Sequence, residues 1–328
     1  MLRRTLNFAS LCFTAYLLYS YLSGRGASGS SRWGYIDHGG AWKIEPQFDG
    51  ADEFHEGLAA VRKDGKWGYI DATGNFAIEP QFSRAQQFSE GLAVVSKSSG
   101  DRVWETRFGY IDKTGAFVIP AKFARADRFS EGLATVCENN CLGKARTDKH
   151  GVIDRSGDYI IPPTFEWITP FSEGLAAATL DRDGPIRYGY IDRTGKVVIE
   201  AKWFAAGQFR QGLAATLSGY IDKRGQLVIP LSLDPGGHVG DFSDGLGSVS
   251  IGGDVTYYDA SGRIALKAKR SQSFSEGFAA AFDNPWFGSP RFGFIDKSGK
   301  IAIPFRWGIA QNFSENLAGA CDGCDPFN

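Results

Sequence analysis

The chain has 328 residues and a formal net charge of −1, from 36 basic and 37 acidic side chains, with 42 glycines, 25 phenylalanines and one methionine. Charge this close to balance excludes global steering toward nucleic acid or an anionic membrane surface. Abundant glycine and aromatic residues favour many short strands and tight turns over helices.

The first element in chain order differs from all that follows. Arg3 and Arg4 precede an apolar stretch from Leu6 to Leu22, and a Gly/Ser-rich run from Ser23 to Ser31 comes next. A basic start, an apolar core and a small-residue exit mark an export signal. The apolar run is at the short end for a spanning helix. Tyr16, Tyr19 and Tyr21 gather near its far end, where aromatics favour the membrane interface. Leu11, not a small residue, precedes Cys12, so there is no lipid-attachment pattern. Residues 1–32 therefore read as a cleaved signal peptide or an uncleaved signal anchor, plus a linker. Both readings keep Arg3 and Arg4 cytoplasmic and export the rest, to the periplasm, the medium or a membrane-tethered position. Membrane contact is expected through this segment only.

From Trp33 onward one phrase recurs eight times. A clean copy is Trp67-Gly68-Tyr69-Ile70-Asp71, Gly74, the run Phe76 to Pro80, then Phe88-Ser89-Glu90-Gly91-Leu92-Ala93. A period of a few tens of residues defines a repeat architecture, so residues 33–328 are read as one domain. Each Asp-x-x-Gly (Asp37/Gly40 through Asp296/Gly299) predicts a turn in which Asp bonds backbone two residues on and Gly takes the left-handed conformation. The strand before that turn carries the Trp-Gly pair. The strand after it often carries proline (Pro46, Pro80, Pro120, Pro162, Pro163, Pro230, Pro304), which cannot donate to a ladder and belongs at a sheet edge. Phe-x-x-Gly predicts a second left-handed turn; its one departure, Asn316, is the residue that best replaces glycine there.

Both faces of these strands are apolar, Ile70 on one and Trp67 with Tyr69 on the other. A sheet apolar on both faces is sandwiched between neighbours, as in propeller blades or solenoid coils. The expectation is an all-β repeat protein of eight short antiparallel β-meanders, an eight-bladed β-propeller, with an open β-solenoid as the alternative. Pairing of Leu317–Cys321 with Trp33–Asp37 would close the ring and bury both orphan edges. Against closure stands uneven spacing, 42 residues from Gly115 to Gly157 but 30 from Gly195 to Gly225.

These recurring residues resemble the bacterial WG-repeat (KWG-repeat) family, over nearly everything after the N-terminal segment. The departures are local: His150 and Ser218 stand in the Trp position, and the seventh copy, Val255-Thr256-Tyr257-Tyr258-Asp259, lacks the glycine. The resemblance implies a repeat protein that mediates interactions and has no shared catalytic residues.

Function is expected where copies differ. Insertions fall between the Leu-Ala strand and the next Trp-Gly strand, on what should be one face of the array. Arg102, Trp104, Arg107, Arg182, Arg187, Trp286, Phe287 and Arg291 are the binding candidates there, Trp and Arg being favoured interface anchors. A separate loop runs from Leu231 to Gly240. The acid of Phe-Ser-Glu-Gly is expected to accept N–H bonds at its own turn. Histidines 38, 55, 150 and 238 are scattered, and no nucleophile-elbow, zinc-protease or P-loop pattern occurs, so no enzyme and no cofactor or metal is expected. Cys137 with Cys141, and Cys321 with Cys324, are expected to form short local disulfides after export. The expected partner is an unidentified protein or polysaccharide, not nucleic acid; the runner-up function is a carbohydrate-binding module.

Overall fold

The structure, a computed structural model, describes residues 31–97, 106–138, 149–180, 186–232, 236–283 and 289–324. Its elements are short because two turn signals interrupt every copy. In the Asp-x-x-Gly turn, Asp71 Oδ1 accepts the N–H groups of Thr73 (2.9 Å) and Asn75 (3.1 Å), while Gly74 sits at φ 88°. The second turn is a two-residue hairpin. Ser89 and Leu92 exchange both backbone hydrogen bonds, and Glu90 and Gly91 between them lie at φ 55° and 78°. Positive φ at both central residues is the type I′ geometry that matches strand twist.

The strands form eight separate antiparallel sheets, the blades of an eight-bladed β-propeller. Blade two shows the plan: Gly50–His55, Leu58–Lys63, Lys66–Asp71 and Phe76–Phe82 pair in chain order. The proline strand lies at the edge, as the missing N–H requires. In blades five, six and eight the first strand shrinks to one bridge, such as Ala206 to Thr216 in blade six. Blade one combines both ends of the described chain. Arg32–Ile36 pairs with Ala318–Asp322, Trp33 standing opposite Cys321, so the array closes as a ring. Uneven spacing is absorbed in hairpins and shortened strands, leaving the closing pair intact.

Packing joins each blade to the next. Tyr69, Ile78 and Phe82 of blade two, for example, bury against Phe88, Ala93, Val95 and Ile111 of blade three. The Tyr hydroxyl then spans the same gap: Tyr69 donates to Gln86 O at 2.7 Å, and Tyr35, Tyr110, Tyr190, Tyr220 and Tyr257 make the equivalent bond.

The Trp-Gly glycine has a steric cause. The proline strand crosses directly over it, and a Cβ on Gly68 would lie 2.5 Å from Ile78 O and 2.7 Å from Pro80 N. Gly34, Gly109, Gly189 and Gly293 meet the same backbone approach. Blade seven has Thr256 at this place, and its last strand does not cross. Leu266–Lys269 of its last strand, Ile264–Lys269, instead pairs residue for residue with Asp254–Tyr257, Thr256 facing Lys267.

Candidate functional site: a cleft between blades six and seven

The two turn types share one face of the ring, and the hairpins that join the Leu-Ala strand to the Trp-Gly strand share the other. On the turn face, all eight acid-position residues (Glu56, Glu90, Glu131, Glu173, Gln211, Asp244, Glu276, Glu315) lie at φ between 53° and 56°. Their side chains do not serve their own turns, as the sequence suggested. Each accepts the backbone N–H of the next blade's turn: Glu56 from Gly91 (2.9 Å), Glu131 from Gly174 (3.0 Å), Gln211 from Gly245 (3.1 Å), and finally Glu315 from Gly57 (2.9 Å). A Glu side chain plus one hydrogen bond reaches about 7 Å, so eight such steps close a ring of about 9 Å radius. These turns therefore surround the axis, and the proline strands lie outermost.

A second tier of pairs ties this ring together. In several copies the residue after the turn Asp reaches an acid two copies back: Lys113 to Glu56 (3.4 Å), Lys223 to Glu173 (3.0 Å), Lys297 to Asp244 (3.0 Å) and His38 to Glu276 (3.1 Å). Where the acid position holds neutral Gln211, the corresponding residue is Ala260, so charge is absent from both sides. Burial disfavours the Glu173 carboxylate, yet Lys223 and the Gly212 N–H outweigh it and hold its pKa below the ordinary value. Further along the first strands, burial pushes Asp52 up to about 6, against its bond from the Glu53 N–H. All these acids have structural partners, and the turn face is accounted for by blade-to-blade bonding.

The hairpin face is where copies diverge. Arg107 bonds its neighbour Thr106 O (3.2 Å) at the base of a blade-three hairpin. Arg187 bonds Lys202 O (3.1 Å) and stacks 4.5 Å over exposed Phe204 in blade five. Arg291 closes the blade-eight hairpin, its N–H on Asp283 Oδ1 at 2.7 Å. These three are on different blades and are not brought together. Arg102, Trp104, Arg182, Trp286 and Phe287 lie outside the described residues, as does Cys141. Cys137 is buried and disulfide-bonded, and Cys321 is bonded to Cys324, with its Cα opposite Trp33 on the closing strand.

A concavity lies on this face, and none of the described binding candidates, Arg107, Arg187 and Arg291, lines it. A cleft of about 710 Å³ separates the end of blade six, at Pro230, Leu231 and Ser232, from the sheet of blade seven. Its floor is one face of three strands, from Val249 and Ile251 through Thr256 and Tyr258 to Lys267 and Lys269. Two departures from the phrase produce it. Blade six is lean, with strands of three, three and four residues and a last strand that stops at Pro230. Blade seven has no crossing strand to fill the space. The corresponding place in regular blade two, beside Lys63, Lys66 and Pro80, holds only about 380 Å³. The cleft between blades six and seven has a mixed lining, with Ser232, Asp254, Thr256, Lys267 and Lys269 beside apolar side chains. The sequence signal for it was the coincidence of Ser218 and Thr256 in adjacent copies.

A ring of eight small sheets closed by strands from both chain ends defines the class, a β-propeller. The chain belongs to the family of WG-containing repeat proteins: the family model matches at residues 33–67, 67–99, 108–140, 151–181, 188–216, 219–253 and 292–323. The unmatched copy is the seventh, whose glycine is missing and whose edge strand runs straight. No curated protein sequence matches the chain significantly. Among solved structures, a prolyl endopeptidase shares 11% identity at a TM-score of 0.51, covering 90% of this chain and 53% of that one. The β-propeller domain of the Trilobed protease from Pyrococcus furiosus gives 0.49 at 11% identity, covering 78% of this chain and 98% of that one. A eukaryotic initiation factor gives 0.48 at 9% identity, covering 90% and 98%. The chain thus spans about half the length of the endopeptidase, and at such identities the likeness is one of fold alone.

Proposed function

We propose that this protein is a non-enzymatic, exported repeat scaffold that binds a protein or polymer partner on its hairpin face, with the cleft between blades six and seven as the principal contact. The carrying observation is that this cleft opens where two adjacent copies abandon the shared phrase, on the side of the ring opposite the bonded acid turns. Positions common to every copy are occupied by packing and turn duties, leaving recognition to the exceptions. Export is supported by the basic-apolar-small pattern of residues 1–32 and by the Cys321–Cys324 disulfide, a bond favoured in oxidising compartments. The test is affinity capture from the producing cells with three proteins: the parent, Thr256→Trp to fill the cleft, and a version with the four inserted hairpins trimmed. Loss of the captured partners from either variant is expected, and an unchanged set from both overturns the reading. A glycan array run beside it separates the carbohydrate alternative, which requires sugar binding that Thr256→Trp or hairpin trimming removes.

A further inference from the structure

Among the described outer strands, Ile264–Lys269 of blade seven is exceptional. Proline interrupts the outer strands of blades one, two, three, four, six and eight, at Pro46, Pro80, Pro120, Pro162, Pro230 and Pro304. In blade five, Val197–Trp203 lacks proline, but its backbone crosses over Gly189. Ile264–Lys269 has neither proline nor crossing, and its residues are all exposed or half-buried. Proline, bulges and charged side chains are the ordinary ways of blunting a sheet edge; this strand has no proline, its one register shift lies at the Tyr257/Tyr258 end, and its charges are Lys267 and Lys269.

The register shows which backbone groups this edge offers. Arg270 N–H donates to Gly253 O at 2.8 Å, so alternate residues Ala268 and Leu266 also turn their backbone groups inward, to the neighbouring strand. The N–H and C=O groups of Lys269 and Lys267 then point outward. Both lysine side chains stand on the cleft face, and neither is ion-paired among the described residues. Asp254, opposite Lys269 in register, is the one acid lining the cleft. On the other face of the strand lie the apolar side chains of Leu266 and Ala268, half-buried.

We propose that this edge docks an extended acidic segment of a partner protein as an added β-strand. Main-chain bonds to Lys267 and Lys269 supply the pairing. Acidic side chains of the added strand lie beside the two ammonium groups on the cleft face, and apolar ones continue the Leu266–Ala268 face, as cross-strand neighbours do. The segment thus alternates acidic and apolar residues. This inference rests on the scaffold reading and names the partner's chemistry.

The test uses a short synthetic peptide alternating Glu and Val, titrated into the chain by fluorescence anisotropy. Saturable binding is expected. Methylating alternate backbone nitrogens of the peptide, which leaves the protein untouched, should weaken binding by at least about tenfold, as should Lys267→Pro, which removes one outward N–H and no ladder bond. Lys267→Glu with Lys269→Glu should weaken it comparably and transfer the preference to a Lys/Val peptide. Absence of saturable binding by the parent, or equal binding of the methylated peptide, overturns the proposal. If the peptide fails while Thr256→Trp still strips partners from the captured set, the strand edge falls and the scaffold reading stands.

Discussion

Glu315, in the last hairpin turn of the chain, accepts the backbone N–H of Gly57, in the first, at 2.9 Å. The two are 258 positions apart, yet their bond repeats what every other pair of adjacent turns makes. The closing blade therefore rests on the strand pair Trp33–Cys321 and on the last of eight equivalent turn bonds.

This bond explains why a side chain other than glycine tolerates positive φ at all eight turns. Left-handed geometry costs a non-glycine residue about 1 kcal/mol, and a hydrogen bond to a charged acceptor offsets that or more. Glu131→Ala keeps the strain and loses the bond to Gly174, so a loss of roughly 1–2 kcal/mol is expected in chemical denaturation. Glu131→Gln should cost much less, since Gln211 already fills this place in blade six. Equal losses for the two variants would argue against the acceptor role.

Steric crossing predicts an asymmetry between glycines and their replacement. Gly68→Ala places a Cβ on the Ile78 and Pro80 backbone and should destabilise by about 1–3 kcal/mol, the range for overpacking. Thr256→Gly, where nothing crosses, should lose no more than about 1 kcal/mol from backbone entropy. Thermal melts of the pair decide it, and a tolerated Gly68→Ala contradicts the crossing.

Acid should act on stability in two opposite directions. Hydrogen bonds from Thr73 and its neighbours hold the Asp71 carboxyl below the ordinary range, and Asp112, Asp154, Asp192 and Asp296 behave alike. A folded pKa below the unfolded one gives stability that is present above the unfolded value and lost as pH falls through the folded value. Burial raises Asp52 to about 6, so its ionised form is penalised near neutrality and that penalty fades as pH drops through 6. The melting temperature should therefore rise from pH 7 toward 5 and fall below about 4. Asp52→Asn should flatten the first limb and gain about 1–3 kcal/mol at pH 7. A monotonic decline from pH 7 downward, unaltered in Asp52→Asn, would count against this assignment.

Export is checked by fusing a reporter that is active only outside the cytoplasm after Asn328. Activity is expected with Arg3–Leu22 present and absent when that stretch is deleted, and activity without it would refute the export reading.

Much of this architecture was legible in the sequence, because each copy states the same constraints. Asp71 with Gly74, the edge position of Pro80, and the orphan strands at Trp33 and Cys321 all carried local physical meanings that the ring realises. The partner of Glu90 was not legible: its acceptor role could be read, but Gly132 lies 42 positions away and is reached only when blades stand side by side. The purpose of Gly68 was likewise hidden, since a missing side chain does not announce the backbone that crosses it. The cleft was hidden for a related reason. Ser218 and Thr256 read as isolated lapses in single copies, whereas space opens only because a lean blade and a straight edge strand are neighbours.

The recognition surface proposed above is the cleft beside Thr256, not the bonded turn face. Site-specific photo-crosslinking in the producing cells tests it most directly, with a photoreactive residue placed at Thr256 or at Thr194, in an Asp-x-x-Gly turn. Recognition at the cleft gives a discrete covalent adduct from Thr256 and none from Thr194; adducts from Thr194 alone, or equally from both, would overturn it.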